Sequence, residues 1–256
     1  MKRENDSHKG QNGKVAVVGG SRFIHGAPLF NALAAEASGI DTLSLCLPQC
    51  HEDTAKQALL NAFVHPFLGN DLSDSDCAMI LELIAPLDCV VLGSGIAKTG
   101  ERVPALEEII ASCTTPMVLD ATALQENTLD LVPGKHAVLT PHLGELERMN
   151  LTIDDLPRVA GDYDVTIVVK GSTDRIFSSE GEEEISGGNA GLTVGGTGDA
   201  LAGLIAGLIA QKLSPFTATV AACRIIKNAG ALLYEDFGYA YTTEEVIGMI
   251  PELLKE

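Results

Sequence analysis

Tryptophan is absent from this 256-residue sequence, and aromatic residues make up only 4% of it. The core must therefore be built mainly from Val, Leu, Ile and Ala, and the 46% hydrophobic content is enough for one large α/β domain. No run of about 18 apolar residues occurs, so we expect no membrane helix. The polar N-terminus lacks the apolar stretch of a signal peptide, and we therefore expect a cytoplasmic protein.

Basic residues are scarce as well. The chain has 17 Lys and Arg residues against 35 Asp and Glu residues, which gives a formal net charge of −18. Binding to nucleic acid needs clustered cations that neutralise phosphates, so this balance argues against a nucleic-acid partner. An anionic small molecule would have to be held by a few local cations and by backbone N–H groups.

Paired cysteines are also missing, because none of the six cysteines belongs to a C-x-x-C motif. Cys46, Cys50 and His51 lie close together in the sequence, which leaves a metal site open. No second pair of ligands accompanies them, so we favour reduced, structural cysteines. The sequence assigns no ligands to a metal ion.

Short β-branched runs alternate with longer Ala- and Leu-rich segments along the chain. Near-continuous apolar strands separated by helices predict a parallel sheet covered on both faces. Strands are predicted over 14–20, 42–47, 88–95, 116–121, 136–142 and 165–171, with an antiparallel pair over 175–179 and 183–186, and helices over 27–38, 53–63, 74–85, 103–112, 144–150, 198–211, 215–236 and 242–255. No linker or repeat is present, so we expect one domain over 1–256, with a flexible N-terminal segment over 1–12.

Polar residues and glycines follow several of the predicted strands. Asp120, His142 and Lys170 each lie at or just beyond a strand end, and glycines follow the strands that end near 20 and 95. Ligands of parallel α/β sheets bind outside the carboxyl ends of the strands. We therefore expect these residues to gather at one end of the sheet.

The stretch VGGTGDALAGLIAGL, residues 194–208, places a glycine loop directly before a helix. Gly195, Gly196 and Gly198 can expose backbone N–H groups, and the unpaired N–H groups of the helix start add to them. This pattern predicts an anion cradle, and the alternative is a tight turn with close helix packing. Two further glycines in the helix, four residues apart, are assigned to packing. The loop is not a Walker A motif, because no G-K-[ST] follows.

Asp199 follows this loop directly, where its charge would repel a bound phosphate. The position makes sense if the carboxylate faces a second ligand and accepts the proton of a hydroxyl group, while the loop holds the transferred phosphoryl group. Phosphoryl transfer divides the work in this way between positioning groups and a base. The alternative is a plain acidic residue in the first turn of a helix.

The segment GGTGDALAG resembles the signature of the NAD(P)H-hydrate dehydratases, which belong to the ribokinase-like superfamily. The resemblance extends over about residues 8–235, because six further segments follow in the order and spacing of that family. They are HKGQNGKVAVVGGS, GAPLFNALAAEASG, VVLGSGIAKTG, VLDATAL, LTPHLGELERM and VVKGSTD. The resemblance implies a ribokinase-like three-layer αβα sandwich with a mostly parallel central sheet.

This family repairs nicotinamide cofactors that have been hydrated at C6. The resemblance implies dehydration of the S-form of hydrated NADH or NADPH by phosphorylation of the C6 hydroxyl and loss of phosphate, with ADP or ATP as co-substrate and Mg²⁺ as cofactor. It also implies a homo-oligomer, a tetramer, and a separate epimerase that interconverts the epimers of the hydrate. The choice between ADP and ATP stays open.

The resemblance also assigns roles to residues. Asp199 matches the catalytic Asp and also contacts the substrate. The nucleotide-binding residues are Lys170, Gly171, Ser172, Thr173, Asp174, Gly195, Gly196, Thr197 and Gly198, and the substrate-binding residues are Ala27, Gly95, His142 and Asn189. Structural alternatives stay open for several of these: an ion pair for Lys170, packing for Ala27 and Gly95, and a structural role for His142.

Four parts of the sequence depart from the family pattern. Thr122 stands where the family has the second acid of a D-A-D motif, and Ala190 stands where the family has a proline after Asn. Ile24 and His25 replace a Tyr and a small hydroxyl residue. The segment GIDT, 39–42, replaces a small, apolar pattern. We expect all of these positions near the ligand end of the sheet, where they would bear on substrate identity.

Two other functions stay open. A ribokinase-like kinase that acts on a hydroxymethyl vitamin precursor would use the same loop and the same Asp199. A non-catalytic, nucleotide-binding descendant is favoured by the missing acid at Thr122, but the complete GGTGD loop argues against it. The segments TPHLGE and HKGQNGK favour the dehydratase branch over a kinase.

Overall fold

The structure, a computed structural model, describes residues 3–98 and 102–255. One sheet of nine strands runs through this part of the chain. The strands are β1 (Lys14–Val18), β2 (Thr42–Pro48), β3 (Ala62–Phe67), β4 (Cys89–Leu92), β5 (Met117–Leu119), β6 (Ala137–Leu139), β7 (Thr166–Val169), β8 (Asp174–Ser178) and β9 (Gly181–Ile185). Their order is β3-β2-β1-β4-β5-β6-β7-β8-β9. All neighbours from β3 to β7 are parallel, and β8 pairs antiparallel with β7 and β9, which confirms a mostly parallel sheet.

Helices cover both faces of this sheet. They are α1 (Gly26–Ala37), α2 (Glu52–Ala58), α3 (Asp74–Ile84), α4 (Arg102–Ser112), α5 (Thr128–Leu131), α6 (Leu143–Arg148), α7 (Leu156–Tyr163), α8 (Thr197–Ala210), α9 (Pro215–Phe237) and α10 (Thr243–Leu253). Val15 and Val17 of β1 pack with α1, α8, α9 and α10, whereas Ala16 and Val18 pack on the other face with α3, α4 and α7. This alternation places one core on each face and confirms the three-layer αβα arrangement.

The strand β3 corrects the sequence prediction, which extended a helix over 53–63. Helix α2 ends at Ala58, and β3 begins at Ala62 and contains Pro66. β3 lies at the edge of the sheet, where one side of the strand has no neighbour and a proline is tolerated. Its side chains are mostly half-buried, so its sequence lacks the continuous apolar run of the inner strands. Helices α5 and α7 are absent from the sequence prediction as well.

Helices α1 and α8 pack closely through two glycines of α8. A Cβ atom at Gly203 would overlap the backbone carbonyl group of Asn31, and a Cβ atom at Gly207 would overlap the side chain of Ser38. Both glycines therefore serve packing, as their spacing predicts. Asn31 Nδ2 also donates a 2.7 Å hydrogen bond to the carbonyl oxygen of Asp199, which fixes the first turn of α8 against α1.

The residues that follow the parallel strands form the carboxyl end of the sheet. Asp120 follows β5, His142 comes shortly after β6, and Lys170 follows β7. The Lys170 N–H donates to the carbonyl oxygen of Pro141 at 2.9 Å, which continues the pairing beyond the two strands. The predicted gathering of Asp120, His142 and Lys170 at one end of the sheet is confirmed.

The residues that precede the strands form the amino end, on the opposite side of the sheet. The segment 39–42 lies there, directly before and at the start of β2, so the expectation that GIDT lies near the ligand end is wrong. Asp41 Oδ2 accepts hydrogen bonds from the backbone N–H groups of Gly10, at 2.8 Å, and Asn12, at 3.0 Å. The departure from the family pattern therefore organises the amino end instead of a ligand site.

Two expectations concern the chain as a whole. The predicted flexible segment over 1–12 falls partly on Met1 and Lys2, which lie outside the described residues. Of the helices in the described ranges, none is both long enough and apolar enough to cross a membrane.

Candidate active site

Lys170 is the centre of a buried charge cluster at the carboxyl end. Its Nζ lies 2.7 Å from Asp120 Oδ1 and 3.9 Å from Glu145 Oε2. Asp120 also accepts hydrogen bonds from Thr140 Oγ1, at 2.6 Å, and from Ser94 Oγ, at 3.2 Å. Burial lowers the pKa of Lys170, but the charges of Asp120 and Glu145 outweigh burial and hold the pKa above its usual value. The ion pair that was the alternative for Lys170 is therefore present, and it keeps this cation charged inside the site.

Asp199 lies in the first turn of α8, beside this cluster. Burial raises the pKa of Asp199 to about 7, and repulsion from Asp120 and Glu145 adds to the rise. Lys170 and a hydrogen bond with Ser94 act in the opposite direction. A carboxyl group with a pKa near neutrality can take up and release a proton near physiological pH, which is the property that a general base needs.

The glycine loop before α8 has a geometry that requires glycine at Gly196. Gly196 has a φ of 99°, and a Cβ atom there would overlap the ring of Phe30. A Cβ atom at Gly198 would lie 3.4 Å from Lys170 Nζ, so Lys170 packs directly against the loop. Gly195 faces open space. The first N–H groups of α8 have no partners within the helix, which suits this helix start to an anion.

A cavity of about 820 Å³ opens next to the glycine loop and the charge cluster. Its walls are the loop over 170–174 and the segment over 187–194, and the start of α8 adjoins both. The predicted site residues in its lining are His142, Lys170, Gly171, Ser172, Asp174, Asn189, Thr197 and Gly198. Thr173, Gly195, Gly196 and Asp199 are chain neighbours of these residues and do not themselves line the cavity. The cavity has the volume that small-molecule sites usually have.

Ala27 and Gly95 form a separate group outside the cavity lining. A Cβ atom at Gly95 would lie 3.2 Å from Ala27 Cβ and 3.0 Å from Ile24 Cγ2, and Gly95 has a φ of 73°. Packing therefore accounts for both small residues, and their contact with substrate stays a prediction. Ile24, one of the departures from the family pattern, lies at the carboxyl end as expected.

His142 caps helix α6. Its Nδ1 accepts a hydrogen bond from the N–H of Glu145 at 3.2 Å, and its own N–H donates to Glu145 Oε2 at 3.0 Å. This reciprocal capping is a structural role, which was the alternative for this residue. The side chain is also 57% exposed and lines the cavity, so its contact with a ligand stays a prediction.

Asn189 holds the turn that leads to the glycine loop. Its Nδ2 donates to the carbonyl oxygen of Gly230 at 2.6 Å. Its Oδ1 accepts hydrogen bonds from the N–H of Gly191, at 2.8 Å, and from the hydroxyl group of Tyr241, at 2.7 Å. These three bonds use most of the hydrogen-bonding capacity of the amide. The predicted contact of Asn189 with substrate stays a prediction, and its visible role is to position the cavity wall.

Lys227 of α9 is a site residue that was not predicted from the sequence. Its side chain is 7% exposed. Its Nζ donates to the carbonyl oxygens of Gly171, at 2.6 Å, and Ser172, at 3.0 Å, and lies 3.3 Å from Asp174 Oδ1. The one sequence signal is its spacing: Lys227 follows the buried Cys223 by four residues, so it falls on the inward face of the helix.

Three other members of the site, Ser94, Thr140 and Glu145, are also absent from the predicted set. Ser94 stands between two glycines just after β4, and Thr140 directly follows β6. Glu145 is the third residue of α6, and its carboxylate is 5% exposed. In the sequence, Ser94 and Thr140 lie near the ends of predicted strands and Glu145 lies near the start of a predicted helix, and these positions could have identified them as candidates.

Thr122 stands where the family has the second acid of its D-A-D motif. It lies at the carboxyl end and is 1% exposed. Its Oγ1 donates to the carbonyl oxygen of Ile96 at 2.6 Å, which joins the loop after β5 to the loop after β4. A carboxylate in this place would face a carbonyl oxygen, with which it has no hydrogen to share. Threonine therefore fits the packing of this chain.

The arrangement of the described side chains does not identify a set of metal ligands. In residues 3–98 and 102–255, no three His, Cys, Asp or Glu side chains are grouped so that they could hold one metal ion. Cys46 is buried, and burial raises the pKa of its thiol to about 12. Such a thiol stays protonated at neutral pH.

Comparisons with known proteins identify the family. A family model described as NAD(P)H-hydrate dehydratase matches residues 15–252. The ADP-dependent (S)-NAD(P)H-hydrate dehydratase of Cenarchaeum symbiosum (strain A) is 33% identical over 268 residues, and the match covers 99% of this chain and 92% of that protein. The bifunctional NAD(P)H-hydrate repair enzyme of Methanocaldococcus jannaschii is 34% identical over 261 residues, which cover 99% of this chain. This chain spans 50% of the length of that bifunctional relative.

Solved structures share the fold. The ADP/ATP-dependent NAD(P)H-hydrate dehydratase from Bacillus subtilis, co-crystallised with ATP and Mg²⁺, superposes with a TM-score of 0.82 at 24% identity, over 99% of this chain and 93% of that one. A ribokinase-like superfamily protein from Enterococcus faecalis V583 superposes with a TM-score of 0.84 at 23% identity, over 100% of this chain and 91% of that one. These likenesses confirm the ribokinase-like fold. The sequence matches confirm the predicted resemblance, and the chain belongs to the NAD(P)H-hydrate dehydratase family.

Proposed function

We propose that this protein is an ADP- or ATP-dependent hydro-lyase that dehydrates the S-form of hydrated NADH or NADPH and so repairs the cofactor. The observation that carries the proposal is the carboxyl group of Asp199, with its pKa of about 7, in the first turn of a helix whose start lines a large cavity. The relative from Cenarchaeum symbiosum is named for this activity and matches nearly the whole chain, which supports the proposal.

In the first step, the nucleotide lies in the cavity with its terminal phosphoryl group at the glycine loop. The C6 hydroxyl oxygen of the substrate forms a new P–O bond while the bond from phosphorus to the nucleotide breaks. The hydroxyl proton passes to a carboxylate oxygen of Asp199. The ammonium group of Lys170 and the N–H groups at the start of α8 stabilise the phosphoryl oxygens.

In the second step, the C6–O bond of the phosphorylated substrate breaks. Phosphate leaves with the bonding electron pair, and C5 gives up a proton to water, which restores the C5–C6 double bond of NADH or NADPH. Phosphate is a better leaving group than hydroxide, and this is the physical reason for spending a nucleotide. Lys170 and the glycine loop hold the phosphate as it departs.

Magnesium is proposed to enter with the nucleotide. Mg²⁺ is commonly bound through one or two carboxylates together with phosphate oxygens and water, and it neutralises phosphate charge. Asp120 is the oxygen donor nearest to Lys170 and would be the protein contact of the Mg²⁺ ion. Asp120 already accepts bonds from three side chains, so water and phosphate oxygens would supply most of the ligands.

The test is to mix the protein with NADH hydrate, Mg²⁺ and either ADP or ATP, and to follow the absorbance of the reduced nicotinamide. Recovery of that absorbance is expected with at least one of the nucleotides, and no recovery without nucleotide. Absence of recovery with both nucleotides contradicts the proposal. A screen of hydroxylated vitamin precursors for ADP formation from ATP then tests the kinase alternative.

We also propose that the protein forms a homo-oligomer, a tetramer, and that a separate epimerase supplies the S-form of the hydrate. Light scattering on the purified protein tests the first proposal. For the second, the R-form is given as the starting substrate, and recovery of absorbance is expected to become fast only when an epimerase is added. The cytoplasmic location and the single domain over 1–256 stay predictions.

A further inference from the structure

The loop over 170–174, one wall of the cavity, rests on a buried lysine of α9. The ammonium group of Lys227 contacts the carbonyl oxygens of Gly171 and Ser172 and the carboxylate of Asp174. Three acceptors match the three N–H bonds of an ammonium group, so Lys227 has no donor left for a ligand. We propose that Lys227 is a positioning residue for nucleotide binding, which holds this loop in the shape that the cavity requires. This inference rests on the proposed function.

The loop is closed from within by Asp174. Its Oδ1 accepts the N–H of Gly171 at 2.9 Å and also faces Lys227 Nζ. Asp174 is only 6% exposed, so its charge depends on the neighbouring ammonium group. The same ammonium group occupies two carbonyl oxygens of the loop. A free carbonyl oxygen in a cavity wall would repel the phosphates of a nucleotide, and Lys227 removes that repulsion.

The stem of Lys227 contacts the opposite wall of the cavity. A Cβ atom at Gly188 would lie 3.3 Å from Lys227 Cδ and 3.5 Å from its Cα, which shows how closely the stem packs there. Because Gly188 has a φ of 66° and its Cβ atom would also lie 2.6 Å from Leu192 Cδ1, only a glycine fits without a shift. One turn further along α9, the carbonyl oxygen of Gly230 accepts the hydrogen bond from Asn189. Lys227 therefore connects both walls: its head holds the loop over 170–174, and its stem packs against the segment over 187–194.

A lysine is the side chain that these contacts demand. Methionine could fill the volume of the stem, but it would leave Asp174 buried without a counter-charge and two carbonyl oxygens without a donor. Arginine keeps the charge, but its guanidinium group is planar and longer, so its N–H donors cannot reach all three acceptors of the Lys227 ammonium group at once. Both substitutions are expected to change the loop beyond Lys170, whereas Lys170 itself stays paired with Asp120 and Glu145, which lie on other elements.

The test compares Lys227→Met and Lys227→Arg with the matched control Arg224→Met. Arg224 lies three residues earlier on α9 and is exposed. Its guanidinium group lies 2.6 Å from the carboxylate of Glu183, and neither residue lines the cavity. Binding of ADP and of ATP with Mg²⁺ is measured by calorimetry. The dehydratase assay then gives kcat and separate KM values for nucleotide and hydrate.

For Lys227→Met, the Kd and KM for nucleotide are expected to rise by about 10- to 100-fold. Replacing a residue that orients the ligands of a metal ion weakens metal binding by a similar factor. The KM for the hydrate is expected to stay within about twofold, since a factor of two is under 0.5 kcal/mol. Lys227→Arg is expected to give a smaller rise and retains the charge that Asp174 needs, so it serves if the methionine variant does not fold. Arg224→Met is expected to match the wild type.

Three results would overturn the inference. The first is wild-type nucleotide affinity in either folded Lys227 variant. The second is an equal rise of both KM values with a lowered melting temperature, which would mark a general structural role. The third is an effect of the same size in Arg224→Met. If the wild type itself binds neither nucleotide, the proposed function fails, and the calorimetry of the wild type separates that failure from failure of the Lys227 assignment.

Discussion

Two half-buried carboxylates at opposite ends of the sheet, Asp41 and Asp199, are held in opposite ways. Asp41 at the amino end receives N–H donors from Gly10 and Asn12, and Arg3 lies 3.5 Å away. Burial pushes the pKa of Asp41 upward, but the hydrogen bonds from Asn12 and Gly10 bring it below its usual value. This carboxylate is fully charged at neutral pH and ties the N-terminal segment to the sheet.

Asp199 at the carboxyl end is short of such donors. Burial raises the pKa of Asp199 to about 7, Asp120 and Glu145 repel its charge, and Lys170 and Ser94 favour the ionised form without outweighing these effects. The comparison shows that burial alone does not make a carboxylate reactive. A group that the fold supplies with donors becomes a structural anchor, whereas a group that the fold leaves short of donors can exchange protons.

The largest expected effect separates these two carboxylates by their chemistry. Asp199→Asn removes the proton acceptor, so the rate of NADH recovery is expected to fall by about 10²- to 10⁴-fold. Nucleotide binding, measured by calorimetry, is expected to persist because the loop and Lys170 are unchanged. The control is Glu244→Gln, which changes an exposed acid in the first turn of α10. Full activity in Asp199→Asn would refute its role as base and leave it as a plain helix-start acid, the role that Glu244 has.

The next effect concerns the cation that balances the carboxyl end. Lys170→Met leaves Asp120, at 3% exposure, without its partner, and breaking a buried pair costs about 3–5 kcal/mol in the free energy of unfolding. It also removes the positive charge that holds the pKa of Asp199 down, so the remaining activity should require a higher pH. Urea unfolding followed by circular dichroism and a pH profile of kcat/KM measure the two effects. Unchanged stability would mean that Asp120 keeps its charge without Lys170.

The ends of the parallel strands were predictable because a parallel sheet brings them together whatever the helices do. This placed Asp120, His142 and Lys170 correctly before any geometry was known. The position of the glycine loop and Asp199 at a helix start was predictable for a related reason, since a glycine loop before an apolar helix pattern marks where the helix begins, and their roles in binding and catalysis stay predictions. The segment 39–42 was misplaced because sequence likeness to a family pattern does not say at which end of a strand a departure falls.

The residues that were missed are those whose role depends on contacts between distant elements. Lys227 is a charged residue in a long helix, where an exposed position is the ordinary expectation. Its burial follows from the packing of α9 against the loop over 170–174, more than 50 residues away, as its hydrogen bonds to Gly171 and Ser172 show. The edge strand β3 was missed because its half-buried side chains carry no continuous apolar run.

A smaller effect tests the amino end. Asp41→Ala removes the acceptor for the N–H groups of Gly10 and Asn12, and loss of hydrogen bonds to a charged group is expected to lower the free energy of unfolding by about 1–3 kcal/mol. The value of kcat is expected to match the wild type, because Asp41 lies at the end of the sheet opposite to Asp199. Denaturant titration and the dehydratase assay on the same preparation check both statements. A fall in kcat with unchanged stability would show that the amino end takes part in catalysis.

The smallest effect probes the repulsion at the carboxyl end by itself. Asp199 must be ionised to accept a proton, so kcat/KM of the wild type is expected to rise with pH and to reach half of its limit near pH 7. Glu145→Gln removes one negative charge that raises the pKa of Asp199, and the amide oxygen can still accept the N–H of His142. The half-maximal point should therefore move slightly to lower pH, because Glu145 is the smallest of the influences on the pKa of Asp199. The control is Glu147→Gln, which changes an exposed acid on the same helix and should leave the pH profile unchanged. A shift to higher pH in Glu145→Gln would contradict the prediction and show that Glu145 acts mainly by holding Lys170.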